Sequence, residues 1–399
     1  MTNRLLRLRS ALKKQRLDAL LVSSLPNITY LTNFSSFSKD EREAFLFITK
    51  DKQYILTDGR YSEAVKNNIK NFDLIEVSGK LTFAKALKNL AKKHKIKKVG
   101  IEENNLTVKE HKTISKHYND TYHYSVGSLR MIKDQEEIAA IEKACKLGDK
   151  TFDYILNKIK RGITEKQLAF EIEFFIKKQG ADISFPPIVA FGKNSAIPHH
   201  KPSNTPLLST RHSGERSDSR ISYRSSLRDS GQARMTSGQF ILLDFGVRLN
   251  NYCSDMTRTV FFGSANREFK KIYQTVLDAQ KKAIEHLGRW RKHQTFDSSE
   301  VESIGIRAKN IDKIARGYIF SHGYPTIPHS LGHGIGLEVH EAPRLSPKSK
   351  DTLKPGMVFT IEPGIYIQGF GGVRIEDVVV LETSGPRLLT HSLKELIEV

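Results

Sequence analysis

A chain of 399 residues with 38% hydrophobic and 27% charged residues has enough apolar side chain to bury large cores, which excludes a disordered or fibrous protein. At roughly 100–200 residues per domain, two domains are expected. Lys and Arg total 64 against 44 Asp and Glu, a net charge of +20, and so basic a surface would collect polyanions such as nucleic acid or an anionic membrane.

Leu5, Leu8, Leu12 and Leu17 recur at helical spacing among charges, so the N-terminus predicts an amphipathic helix and not the continuous apolar run of a signal peptide. Ala19 to Val22 is a short buried strand. The runs Asn27 to Phe34, Ala44 to Thr49 and Gln53 to Asp58 read as further strands, and helical and strand patterns alternate from Ser62 to a last strand at Lys97 to Glu102 and a helix around Lys109 to Tyr118. This predicts an α/β domain over residues 1–126. That segment holds 24 Lys and Arg against 13 Asp and Glu, more than half the basic excess. Its densest stretch, Lys92, Lys93, Lys95, Lys97 and Lys98, has no aromatic residue on which a base could stack, so it reads as a solvated helix face. No nucleic-acid partner is expected.

From Ser125 the chain runs into a long helix, with Asp134 as N-cap and Glu136 and Glu137 in the first turn, then a helix from Thr164 to Gly180. Residues 127–399 are expected to form an α+β domain. Two stretches break its periodicity and read as insertions. Residues 208–237 carry 6 Arg against 3 acidic residues without hydrophobic period, and residues 288–303, with the single Trp290, interrupt a helix-turn-helix pattern. The first is read as looping away from the site, with gating as the alternative. Two cysteines, Cys145 and Cys253, provide no disulfide framework and fit no zinc spacing. No stretch approaches the roughly 20 apolar residues that span a bilayer. A cytoplasmic protein without a membrane partner is expected.

Chemistry concentrates in four places. In Phe240 to Phe262, two apolar strands joined by a turn at Leu249-Asn250 would set Asp244 directly opposite Asp255, with Cβ atoms roughly 5 Å apart, where two carboxylates need a cation or a shared proton. Pro328 to Glu341 holds His329, His333 and His340 in a Gly-rich frame. Glu362 ends an apolar strand before Pro363-Gly364, and Arg374 and Glu376 share one strand face among branched apolar residues. Two Asp, two Glu and His form an oxygen-rich donor set suited to a pair of Mn²⁺, Co²⁺ or Zn²⁺ ions.

Asp, eleven on to Asp, then HSLGHGIG, IEPG and VRIED: this order resembles the pita-bread metallopeptidases, the family of methionine aminopeptidase, aminopeptidase P and prolidase. With Asp58-Gly-Arg-Tyr61 and a creatinase-like N-terminal domain before it, the chain is similar to the Xaa-Pro branch. The resemblance implies an α/β creatinase-like domain (1–126) followed by an α+β pita-bread catalytic domain (127–399). It implies Asp244 as a terminal ligand of one ion, Asp255 and Glu376 as bridging ligands, and His333 and Glu362 as ligands of the other. Two divalent ions are implied, Mn²⁺ first and Co²⁺ or Zn²⁺ as alternatives, and hydrolysis by a metal-bridging hydroxide with Glu362 passing the proton to the leaving nitrogen. His340 would contact the scissile carbonyl, His329 and His199 the substrate, and Arg374 would hold the bridging carboxylates. Arg344 occupies the place where prolidases grip a dipeptide carboxylate, with a rim salt bridge as the plainer reading. The expected activity is an Xaa-Pro aminopeptidase acting on peptides with proline second, prolidase being the alternative and a non-catalytic peptide-binding module the remoter one. A homodimer is usual for such relatives.

Overall fold

The short apolar runs of the first third are rich in branched and aromatic side chains and bounded by polar turns, and they assemble into one sheet. The structure, a computed structural model, describes residues 3–38, 41–118, 120–208, 238–289 and 305–399. Strands β1 (Ala19–Val22), β2 (Ala44–Thr49), β3 (Gln53–Asp58), β4 (Asp73–Val77), β5 (Lys98–Ile101) and β6 (Asp120–His123) lie in the order β4-β3-β2-β1-β5-β6. β2 is antiparallel to β1 and β3, and the other neighbours are parallel. Parallel neighbours need crossovers, and the helices between the strands supply them. The helices of this unit are α1 (Asn3–Lys14), which precedes the first strand, α2 (Leu25–Thr32), α3 (Ser62–Asn68), α4 (Phe83–Lys93), α5 (Val108–Ser115) and α6 (Gly127–Arg130), which follows the last.

One predicted strand is a helix. Asn27 to Phe34 lies largely in α2, because Pro26 suits a first helical turn and the buried Glu102 carboxylate accepts from the Ser23 and Ser24 N–H groups and from Asn27 Nδ2. Asn33 closes it in the left-handed region (φ 62°), which explains a residue that tolerates that region here.

The first compact unit runs to Ile132 and the second begins at Lys133, whereas the expected junction follows Val126. The intervening α6 is held to the first unit by Arg7 Nη2 donating to Leu129 O and by Arg130 Nη1 donating to Asn27 Oδ1.

In the second unit, reciprocal capping by Asp134 and Glu137 starts α7 (Gln135–Leu156), and Thr164 with Gln167 starts α8 (Glu165–Lys178). The chain continues through β7 (Asp182–Ile183), β8 (Ile188–Phe191), β9 (Gln239–Phe245), β10 (Val247–Leu249), β11 (Tyr252–Cys253) and β12 (Met256–Phe262) to α9 (Arg267–Arg289). After β13 (Ile306–Arg307) and α10 (Ala308–Ser321) come β14 (Gly332–Gly334), β15 (Glu341–Leu345), β16 (Thr352–Leu353), β17 (Val358–Ile361), β18 (Gly364–Ile367), β19 (Gly371–Arg374), β20 (Asp377–Glu382) and β21 (Gly385–Leu388). The main sheets run β12-β9-β8 and β15-β14-β17-β20-β21. Apolar faces of α7 and α8 (Phe152, Ile155, Leu168, Ile172, Ile176) bury against Ile241, Leu243 and Val260. The stretches read as insertions, with Trp290, lie almost wholly outside the described residues.

The hairpin register differs from the expected one. The turn residues are Asn250 and Asn251, both left-handed (φ 49° and 72°), the geometry of a two-residue hairpin turn, which Asn adopts and Leu249 would not. Leu249 therefore pairs with Tyr252, and Asp244 faces Thr257 instead of Asp255. Between β9 and β10 the ladder breaks at Gly246, where a Cβ would lie 2.0 Å from Ser254 O, so nothing larger than glycine fits. Asp255 leaves the strand at this break, diagonal to Asp244.

Candidate metal centre

All ten residues nominated from the sequence line one cavity of about 800 Å³ in the second unit. The hairpin supplies Asp244 and Asp255, β14 supplies His333, and the breaks β17/β18 and β19/β20 supply Glu362 and Glu376. Gly332 permits β14 to approach β17, since a Cβ there would sit 1.9 Å from Thr360 O. Arg344 is the cross-strand partner of His333, which brings the cavity rim to the acidic cluster.

Asp244, Asp255 and Glu376 are almost wholly buried (7%, 4% and 2% exposed). Burial first, then the neighbouring carboxylates, hold Asp255 and Glu376 well above the ordinary carboxylate range. Asp244 is raised as well, burial outweighing its ion pair with Arg374 Nη2 at 2.5 Å. Burial also works against charge on Glu362 and His333. Their contact, Nε2 to Oε1 at 3.3 Å, overrides it and leaves Glu362 low and His333 high.

The donor set fits divalent cations. Asp244 Oδ1, Asp255 Oδ1 and Glu376 Oε1 are buried and have no hydrogen-bond partner among the described residues, and such atoms are costly without a counter-charge. Asp255, His333 and Glu376 each offer a ligand atom within 4.8 Å of one another. His333 Nδ1 lies 3.2 Å from Gly334 O and must donate to it, which turns Nε2 towards Asp255 Oδ2 (3.6 Å) and Glu362 Oε1. A neutral imidazole there presents a lone pair to carboxylate oxygens, so the space between them calls for a proton or a metal ion.

The remaining nominees frame this cluster. His329 Nδ1 donates to Ser330 O (2.8 Å) and stands 3.9 Å from Glu362 Oε2. The His340 ring packs edge-on to His333 with centroids 4.3 Å apart. Burial holds both His329 and His340 below the usual imidazole value. His199 is exposed at the cavity wall beside Pro198. Arg374 holds Asp244 directly and reaches Glu376 through Thr257, whose Oγ1 accepts from Nε at 3.0 Å and donates to Glu376 Oε2 at 2.7 Å. The expected grip on both bridging carboxylates is thus a grip on Asp244 and, indirectly, on Glu376.

Thr257 and Tyr366 escaped the sequence reading. Tyr366 Oη donates to His329 Nε2 (2.8 Å) and accepts from Arg374 Nη1 (2.9 Å), joining the histidine wall to the carboxylate cluster. The signal was present: Tyr366 lies four residues beyond Glu362 and Thr257 two beyond Asp255, an even spacing that points side chains the same way along extended chain. Tyr366→Phe is expected to lower kcat/KM about 10–100-fold without unfolding the chain, because it removes one neutral and one charge-assisted hydrogen bond. Steady-state kinetics beside a thermal melt checks this.

A two-unit chain with an acidic, histidine-bearing cavity in a pita-bread fold is a metallopeptidase. The chain belongs to metallopeptidase family M24, whose family model matches residues 139–383, and residues 4–132 match the creatinase/prolidase N-terminal domain. Both matches bear out the fold and family expected from the motifs. An Xaa-Pro dipeptidase of Pyrococcus horikoshii is 34% identical over 397 residues, covering 96% of this chain and 95% of that protein. The structure of an Xaa-Pro dipeptidase from Bacillus anthracis is similar at TM-score 0.82 and 32% identity, with 99% of both chains covered. That of an X-Pro aminopeptidase from Thermotoga maritima is similar at TM-score 0.79 and 30% identity, with 100% of both covered. Among the described residues no helix is long and apolar enough to cross a membrane.

Proposed function

We propose that the protein is an Xaa-Pro dipeptidase, cleaving the bond before a C-terminal proline. The order of the two expected readings is thereby reversed. Relatives named as dipeptidases that match over nearly the whole chain favour it. The observation that carries it is Arg344 at the cavity wall. Its Nε donates to Ser330 Oγ at 2.9 Å and its backbone N–H to Asp351 Oδ2, while its two Nη groups have no hydrogen-bond partner among the described residues. A guanidinium fixed at one corner with its outer edge free is suited to a carboxylate, the group a dipeptide presents one residue beyond the scissile bond.

In this reading Asp244, Asp255, His333, Glu362 and Glu376 would hold two divalent ions, Mn²⁺ first, with Co²⁺ and Zn²⁺ as alternatives suited to the same donors. The chemistry gained with the ions bound is Lewis acidity, which eases ionisation of water near neutral pH and offsets charge developing on the scissile carbonyl. Glu362, flanked by His329 and His333, accepts a proton from water and delivers it to the proline nitrogen as the C–N bond breaks. His340 and His199, both lining the cavity, orient the carbonyl and the N-terminal residue. Arg374 favours the charged form of Asp244 against its burial and holds it in place. A cytoplasmic location, expected from the sequence, and a homodimer, usual for such relatives, go with this proposal.

The test loads purified protein with Mn²⁺ and compares an Xaa-Pro dipeptide, an Xaa-Pro-Yaa tripeptide and an Xaa-Ala control. Preference for the dipeptide is expected, and Arg344→Met should lower the dipeptide-to-tripeptide selectivity about 10–100-fold. Cleavage of the tripeptide alone would restore the aminopeptidase reading; no cleavage of any peptide by metal-loaded protein would overturn both.

A further inference from the structure

Glu362 and Glu376 occupy the same kind of place. β17 ends at Ile361 and β18 begins at Gly364; β19 ends at Arg374 and β20 begins at Asp377. Each glutamate therefore sits in a gap where the chain leaves its ladder, which lets its side chain turn into the cavity. A gap of this kind leaves backbone groups without ladder partners, and buried carbonyls need donors.

Gln280 supplies a donor at the edge of both gaps. It lies on α9, fully buried in an apolar stripe with Val276, Ala279, Ala283 and Leu287. Its Nε2 donates to Ile361 O at 3.1 Å and to Ile375 O at 3.2 Å, the carbonyls immediately before the two glutamates. Its own Oε1 is buried without a hydrogen-bond partner among the described residues, a cost that a methionine of similar volume would avoid. A side chain that incurs this cost while clamping two backbone sites is poorly explained by packing alone.

We propose that Gln280 is a positioning residue that locks Glu362 and Glu376 in register with each other, so that metal affinity depends on a helix that contributes no ligand. The inference rests on the reading of these glutamates as metal ligands. Partners that orient ligands typically contribute 10–100-fold to metal affinity, and Gln280 acts on two ligands through one amide.

The decisive measurement is Mn²⁺ binding to the metal-free protein by titration calorimetry at 25 °C, with circular dichroism and a melt of each metal-free variant. Gln280→Met is expected to stay folded and to bind Mn²⁺ about 10–100-fold more weakly. Val276→Ala, on the same buried stripe but with a side chain that makes no hydrogen bond to either gap, should lower the melting temperature while keeping the parent's affinity. Should Gln280→Met fail to fold, Gln280→Asn retains the amide and is too short to reach both carbonyls, so weakened binding is expected there too. Parental affinity in a folded Gln280 variant, or an equal loss in Val276→Ala, overturns the clamp. A parent protein that binds no Mn²⁺ overturns the ligand reading instead, and the clamp with it.

Discussion

Asp255→Asn is expected to lower kcat/KM at least about 10³-fold while raising the melting temperature of the metal-free protein by a few degrees. The two effects have one cause. Asp255 is 4% exposed, its Oδ1 has no hydrogen-bond partner among the described residues, and burial together with Glu376, Asp244 and Glu362 opposes its charge. In the metal-free state that charge is a liability, and an amide of the same shape removes it and brings N–H donors to the Glu376 carboxylate. With metal supplied the order reverses, because a ligand that binds only the folded state stabilises it by about 2.7 kcal/mol at a hundredfold excess over Kd. The parent should gain that increment on adding Mn²⁺ and the variant only a fraction of it. Paired melts with and without Mn²⁺, beside the dipeptide assay, read all three quantities. A variant that stays active, or that gains as much from Mn²⁺ as the parent does, would remove Asp255 from the centre.

The residues of this centre were legible because their chemistry conflicts with their surroundings. Asp244 and Asp255 in apolar strands, and Glu362 and Glu376 beside branched residues, have no reason to be buried without a counter-charge, and a sequence displays that contradiction directly. Their exact juxtaposition was less legible. Placing the turn at Leu249-Asn250 instead of Asn250-Asn251 moved Asp255 two positions along the ladder, since the φ of a turn residue is not written in hydrophobic pattern. The helix at Leu25–Thr32 was hidden for a related reason: its Ile, Thr and Tyr have strand-like preferences, and the Glu102 carboxylate that holds the Ser23 and Ser24 N–H groups ahead of it and the Asn27 side chain comes from 75 residues further along. Gln280 was invisible on the same grounds. A glutamine on an apolar helix face looks like a tolerated exception until the two carbonyls it serves, 81 and 95 residues further along, are seen beside it.

Arg374→Met is expected to destabilise the metal-free protein by about 3–5 kcal/mol, the usual result of removing one partner of a buried ion pair. Arg374 is 3% exposed, and its guanidinium binds Asp244 Oδ2, Thr257 Oγ1, Tyr366 Oη and Pro198 O, so the methionine would leave an uncompensated carboxylate and take a donor from three buried oxygens. It would also remove the one Arg or Lys side chain that pairs with this carboxylate cluster among the described residues, which makes its loss more damaging without metal than with it. Adding Mn²⁺ should therefore recover more stability in Arg374→Met than in the parent, although activity stays low because the Tyr366 and His329 wall has lost its tether. Arg374→Lys separates the two roles. A lysine keeps the charge beside Asp244 and cannot span Thr257, Tyr366 and Pro198 together, so it should restore much of the metal-free stability and little of kcat. The melt and the kinetics are thus expected to part company in the lysine variant; if both recover in proportion, Arg374 acts through its charge alone and the geometric role assigned to its fork is wrong.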